Sequence, residues 1–563
     1  MTWRDRLKSA QASDASEVAD LEPPFDGASK PSAHGWLVGL AFLIVAACVT
    51  FSLLPALSAP ISADDRYWAI EGPAKYEGSY VQAVTGALRE NQGAVEAGHT
   101  SRPLGRMARR VFGLALFDVA HLSSTPLPFV QAIAKFLLLS LGVASCLAFI
   151  KVLRWRTADD RLVGVGRATL TIVGVGLVAL IAAGVQAHSQ FRNGWISYPV
   201  LTYGSITVIF ASAASVVASA RSIVERKPGS LALGIAVGAG LGLVLSWSYE
   251  LNYLGLPLSL FALLAFPLAS KSQAHHTRRS RQVVGGVLTF TWLALSAWSR
   301  LPVSGACGGD ECSPSVTLSL GLQAFRTLWF NLASSVPGSS KREFLEDLAS
   351  RDSSYFWTDA TPGTLWVVSL SLGLAVSLIW RWAERRWTVS EERRRAERAL
   401  MLFAAVGSLG VGLGGALIMS LSAQAQEVIS RVGLPYRHTV LTWTAIALAI
   451  ALIGRAIQLS GFNLVRVVSI ASVAVIVIVS SLYTLPRNLI STQAYRVMPA
   501  NRALADIHWE VIAGDPTEGG DERRCLAFER AERHVNSGWL TQRLEPAADT
   551  VFLRLHDKPF CSL

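Results

Sequence analysis

Residues 62–72 read SADDRYWAIEG and follow a stretch, residues 35–63, that carries no charged side chain. Acids at the mouth of such a stretch are either solvated at headgroup level or held for a purpose, because charge deeper in hydrocarbon is costly. A carboxylate placed there could take the proton from a hydroxyl that is becoming a nucleophile. Two adjacent carboxylates point different ways, so at most one of Asp64 and Asp65 serves as the base. The other orients a neighbour such as Arg66 or sits at a helix N-terminus. Arg66 and Tyr67 are themselves candidates for substrate contact. The competing reading of the pair is a helix boundary marked by acids.

A second set of candidates is cationic. The run GHTSRPLGRMARRVFGLALFDVAHLSSTPLP brings Arg102, Arg106, Arg109 and Arg110 together. Within it Leu104, Met107, Val111, Leu114 and Ala115 recur at helical spacing, which predicts an amphipathic helix lying in the interface. Guanidinium groups match phosphate oxygens in fork geometry and suit a phosphate leaving group. A basic surface helix touching anionic lipid is the alternative. Further along, SWSYELNYLG sets Glu250 among Tyr249, Asn252 and Tyr253 in a short turn between two apolar runs. HSQFRNGWISYP offers His188, Arg192 and Trp195, and RVGLPYRHTV offers Arg437 and His438 as a phosphate clamp. Aromatics and cations at such positions also serve as interfacial belts and snorkelling anchors.

The elements that must position these residues follow from composition. The chain has 563 residues, 51% hydrophobic and 16% charged, against about a quarter charged in soluble domains. Its mean hydropathy is +0.38. Apolar residues gather into blocks long enough to cross a bilayer as helices. The expected fold is an all-α polytopic membrane protein of about eleven transmembrane helices, near 36–58, 127–150, 168–187, 199–220, 230–248, 252–269, 283–303, 363–381, 400–421, 439–457 and 465–483. KVLRWRTADDR, RSIVERK, KSQAHHTRRSR and RWAERRWTVSEERRRAER all fall on one side, which the positive-inside rule makes cytoplasmic. The N-terminus is then inside and the C-terminus outside. Residues 1–33 form a polar tail expected to be disordered, 34–483 the transmembrane domain with a first outside loop at 59–126, and 484–563 a small extracytoplasmic domain. In that last domain the alternating VFLRL predicts a strand, making it an α/β appendage. The SAPISA before Asp64 also fits signal cleavage. Cys48 and Cys146 fall inside spans, whereas Cys307, Cys312, Cys525 and Cys561 fall outside, as two disulfides would require.

Other chemistry finds no support. The net charge of +11 is what cytoplasmic Lys/Arg loops produce, and no basic–aromatic nucleic-acid module accompanies it. There is no HExxH, no Cys/His cluster and no Walker or Rossmann glycine pattern, so neither a metal ion nor another cofactor is expected.

The first outside loop resembles that of the GtrII-type glucosyltransferases. The likeness lies in an Asp-Asp just after the first span, an Arg-Pro-Leu within GHTSRPLGR, and a Ser/Thr-Pro-Leu-Pro leading into the second span. It covers about residues 36–150, and beyond them is architectural. Those enzymes decorate bacterial surface polysaccharide and share the architecture of the GT-C class of polyprenyl-phosphate-sugar-dependent glycosyltransferases. The resemblance implies a bacterial inner-membrane enzyme that moves a sugar from polyprenyl phosphate to a hydroxyl of a cell-envelope polysaccharide or glycolipid. It implies a first-loop acid, Asp64 or Asp65, as base and Arg102 as phosphate or sugar contact. Its partners would be the lipid-linked sugar, the glycan acceptor and membrane lipids. Rival readings are an O-antigen polymerase or ligase, resting on arginine and histidine of the later loops, and a lipid-linked sugar flippase or transporter, which would bury charge in mid-span.

Overall fold

The computed structural model describes residues 35–57, 64–96, 101–186, 199–306, 318–339, 362–387, 390–432, 438–460, 462–497, 499–534 and 540–561. Among them the chain is almost wholly helical. Nine helices are long and apolar enough to cross a membrane. They are α1 (Gly35–Leu57), α5 (Leu127–Val152), α6 (Arg167–Gly184), α7 (Pro199–Val224), α8 (Ser230–Trp247), α12 (Pro362–Arg386), α13 (Glu391–Ser420), α15 (Thr439–Gln458) and α16 (Asn463–Val497). Between α1 and α5 lie α2 (Asp64–Lys75), α3 (Tyr80–Glu96) and α4 (Pro103–Leu122). Leu-, Ile-, Val- and Ala-rich sequence on all sides of the spans explains why they bury one another: no single polar face has to be kept in water.

The other two expected spans are not among these nine. The stretch 252–269 holds a 3₁₀ turn, Glu250–Leu254, and the eleven-residue α9 (Gly255–Ala265). At 1.5 Å per residue α9 reaches only about half-way across hydrocarbon. The stretch 283–303 lies in α10 (Ala274–Ala306), a 33-residue helix that opens on AHHTRRSRQ and is not among the nine.

The bundle core is one continuous apolar cluster drawn from α1, α5–α10, α12, α13, α15 and α16. Close packing is visible where Trp443 of α15 donates from Nε1 to the Leu180 carbonyl of α6 at 3.0 Å. A Cβ at Gly184 would sit 1.9 Å from that indole, so only glycine lets the two helices approach there.

The basic loops gather at one end. A two-stranded antiparallel hairpin, β1 (Arg154–Arg156) with β2 (Leu162–Gly164), follows α5. Arg156 donates to the Ala269 carbonyl at 2.5 Å, the Lys271 N–H donates to Asp160 at 2.8 Å, and Arg221 donates to the Val152 carbonyl at 2.8 Å. Glu397, near the start of α13, accepts from Thr169, near the start of α6, at 2.6 Å. The loops that sequence assigned to one side therefore do share one end.

At the opposite end the tail and the first loop share a second apolar core. Ala69 and Ile70 of α2, Phe117 and Ala120 of α4, and Leu127 and Val130 of α5 pack with Leu504, Ile507 and Val511 of α17 (Pro499–Ala513). Phe528 of α18 (Glu518–His534), Val551 and Phe552 of α19 (Glu545–His556), and Phe560 complete it. The expected VFLRL strand is instead part of α19. Its buried residues, Ala547, Ala548, Val551 and Phe552, repeat at three to four positions, so the helical period of the longer segment overrides the local alternation. Glu545 in its first turn and Arg554 and His556 in its last suit the helix dipole. Cys525 and Cys561 are disulfide-bonded across this unit, and Cys48 and Cys146 are buried free thiols. The expected Cys307–Cys312 pair lies outside the described residues.

Candidate functional site

Helix α4 starts at Pro103, whose fixed φ suits a first helical position. Arg102 immediately precedes it, and its backbone N–H donates to Asn91 Oδ1 of α3 at 2.6 Å. Asn91 in turn donates to Ser101 Oγ at 3.0 Å, which fixes the run into the helix. Three residues further on, Gly105 faces the turn after α8: a Cβ there would lie 2.3 Å from the Ser248 carbonyl oxygen. This missing side chain lets α4 lie against residues 248–250.

That approach joins residues 148 positions apart in sequence. Arg102 Nε donates to Glu250 Oε1 at 2.6 Å, and its Nη2 is 2.5 Å from the same oxygen. The guanidinium also sits 5.1 Å from the centre of the Tyr249 ring, a cation–π distance. Arg102, Glu250 and Tyr249, each a candidate from sequence, thus form one cluster.

Further along α4, Arg110 is anchored by a residue that sequence reasoning did not single out. Its Nε and Nη2 donate to Glu90 Oε2 of α3 at 3.0 and 2.8 Å. The other Glu90 oxygen accepts from Lys75 Nζ at 2.5 Å and from the Tyr76 hydroxyl at 2.9 Å. Burial works to raise the Glu90 pKa, but the Lys75 and Tyr76 hydrogen bonds and the Arg110 charge and hydrogen bonds prevail and bring it down to about 2. Burial, with the Glu90 hydrogen bond and charge, pushes the Tyr76 phenol up to about 12 despite Arg110. A signal for Glu90 was available: it lies seven and three residues after Ala83 and Ala87, the buried stripe of amphipathic α3.

Arg106 stands between these two neutralised pairs. Its side chain is half-buried, and its Nε is shielded from solvent with no hydrogen-bond partner among the described residues. Burial first, then the charges of Arg102 and Arg109, lower its pKa against the opposing pull of Glu90 and Glu250. The chemical capacity of this stretch is therefore a guanidinium with a donor to spare, in a row of cations whose ends are fixed by acids.

The backbone of residues 64–67 forms the first turn of α2, so Asp64 and Asp65 stand where acids favour the positive end of a helix. The side chains of Asp64, Asp65, Arg66 and Tyr67 lie outside the described part of the chain. Helix α2 packs directly on α4, so these acids share one helical unit with the arginine row. A third acid on α2, Glu71, escaped the sequence reading. It is buried, its Oε1 is 3.2 Å from Arg543 Nε, and burial raises its pKa although Arg543, Arg110 and Lys75 oppose this.

His438 lies elsewhere. It is buried at the start of α15, with Nε2 3.1 Å from the carbonyl oxygen of Asn331 on α11 (Leu322–Ser334). Arg192 and Arg437 lie outside the described residues, as do His188 and Trp195. Among the described residues no group of three or more His, Cys, Asp or Glu is arranged to hold a metal ion. No protein-family model, curated protein or solved structure matches this chain.

Proposed function

We propose that this chain is a membrane glycosyltransferase that uses a polyprenyl-phosphate sugar and works at the end of the bundle remote from the basic loops. The observation that carries the reading is the half-buried Arg106, with an unspent Nε donor, between Arg102–Glu250 and Arg110–Glu90. A cation held in this way favours a group whose negative charge grows as the reaction proceeds, and a departing lipid phosphate is such a group. The acceptor hydroxyl gives its proton to a carboxylate of α2, its oxygen bonds to the anomeric carbon, and the bond from that carbon to the phosphate oxygen breaks. Asp64 or Asp65 is the base. Tyr249, buried beneath Arg102, helps to hold that guanidinium in place beside the site. Under the positive-inside assignment this face is extracytoplasmic, and a bacterial plasma membrane with a cell-envelope glycan as acceptor is its setting.

The test is transfer in vitro from a panel of polyprenyl-phosphate sugars, read as the added mass on the acceptor, for the wild type and for Asp64→Asn and Asp65→Asn. One of the two variants should lose transfer by a hundredfold or more while expressing and unfolding as the wild type does. Wild-type activity in both would remove the assigned base.

A further inference from the structure

At the basic end of the bundle, remote from α4, the helix ends of α12, α13, α15 and α16 border an open cavity of about 360 Å³. Five arginines line it, Arg381, Arg385, Arg394, Arg455 and Arg466, against a single acid, Glu384. Trp387, Leu459, Val467 and Ile470 supply an apolar wall. We propose that this cavity is a binding site for a phosphate-bearing anion, with the arginines on the phosphoryl oxygens and the apolar wall beside whatever the phosphate carries.

The deepest arginine is held rigidly. Arg455, 2% exposed, donates from Nε to Thr169 Oγ1 at 3.0 Å and from Nη1 to Gln458 Oε1 at 2.8 Å. Behind it the buried Glu397 accepts from Thr169 at 2.6 Å, from the Gly166 N–H at 3.1 Å and from Arg393 Nε at 3.2 Å, so its charge is shared between Arg393 and the nearby Arg455. Glu384 is divided. It accepts from Gln458 Nε2 at 2.9 Å and lies 3.6 Å from Arg466 Nε, too far for a hydrogen bond. The Arg466 Nε is shielded from solvent and has no hydrogen-bond partner among the described residues. Arg381 and Arg385, one turn apart at the rim, have no acidic partner among the described residues, and Arg394 reaches only the exposed Glu391, at 3.7 Å. Glu384 in the lining, Glu397 behind it and Glu391 at the rim still leave the five guanidinium groups in excess. Planar donors converging on an open cavity match a phosphoryl group, and basic pockets between helix ends are where anionic headgroups dock.

The phosphate could belong to an anionic lipid or to a free solute, and the two are separable. Full-length protein in maltoside micelles is titrated with phosphatidylglycerol, with phosphatidylcholine as the net-neutral control, and separately with inorganic phosphate and pyrophosphate. Bound ligand is counted by native mass spectrometry and the Tm shift is followed. Arg381→Gln/Arg385→Gln should weaken binding about tenfold or more, whereas Glu384→Gln should strengthen it. Both arginines are exposed, so without ligand the double variant should unfold at the wild-type temperature. A response to phosphatidylglycerol alone assigns a lipid headgroup, and a response to the inorganic anions assigns a free phosphate. If neither binds, or if binding is unchanged in the double variant, the site is overturned.

Discussion

Glu90 and Glu71 lie on adjacent elements of the first loop and are driven in opposite directions. Glu90 receives four hydrogen bonds from three side chains, so its ionised form is favoured and its pKa falls to about 2 from an ordinary 4.5. That stabilisation is whole above about pH 4.5 and is lost as pH falls towards 2. Glu90→Gln would also take the Glu90 charge away from Arg110, which is 8% exposed. It should cost on the order of 3 kcal/mol in chemical denaturation at pH 7 and flatten the acid limb of the stability profile. Glu71 is held up by burial, so its ionisation opposes folding and stability falls as pH rises through its raised pKa. Glu71→Gln should therefore be neutral or stabilising at pH 7; a clear loss of Tm would mean that its pairing with Arg543 outweighs burial. Arg106→Gln removes a half-buried cation set between Arg102 and Arg109, and should leave Tm unchanged or slightly raised.

At the scale of elements, the contact between α4 and the turn at 248–250 assembles the site. Gly105 is its hinge point, because a Cβ would lie 2.3 Å from the Ser248 carbonyl. Backbone cannot move aside as a flexible side chain can, so Gly105→Ala should cost about 1–3 kcal/mol. It should also separate Arg102 from Glu250 and reduce transfer without touching either side chain; wild-type activity would show that the contact does not hold the site. The helix itself was legible in the spacing of Leu104, Met107, Val111 and Leu114. Its buried face was legible only in part: Leu114 is buried, but the other buried residues are Gly105, Arg110, Phe117 and Ala120, because the face is set by the elements that cover the helix, which periodicity does not report. Arg102 and Glu250 were each singled out, yet nothing in the chain announces a pairing across 148 residues. Misreading VFLRL had a similar origin: five alternating residues carry less weight than the helical repeat of the twelve-residue helix around them.

For the whole molecule, hydropathy pointed to eleven spans, nine of which fall on helices long and apolar enough to cross a membrane, and the basic loops that defined one side do converge at one end. What hydropathy could not supply is the joint core of the first loop and the tail, residues 391 and 481 positions apart that meet as His121 Nδ1 against the Ile512 carbonyl at 2.9 Å and as Arg554 donating to the Pro73 carbonyl at 3.0 Å. The Cys525–Cys561 bond closes a 36-residue separation in that unit, and Cys525→Ser/Cys561→Ser should destabilise it by about 3–4 kcal/mol. Hydrogen exchange should then rise across α17–α19 and not across the bundle. The central claim, that the arginine row of α4 holds a lipid phosphate, is tested most directly by binding. The Kd of a short-chain fluorescent polyprenyl phosphate is measured for the wild type and for Arg106→Gln in the same micelles. The arrangement predicts at least a tenfold weaker Kd in the variant at an unchanged or slightly raised Tm, and an equal Kd in the two proteins would contradict it.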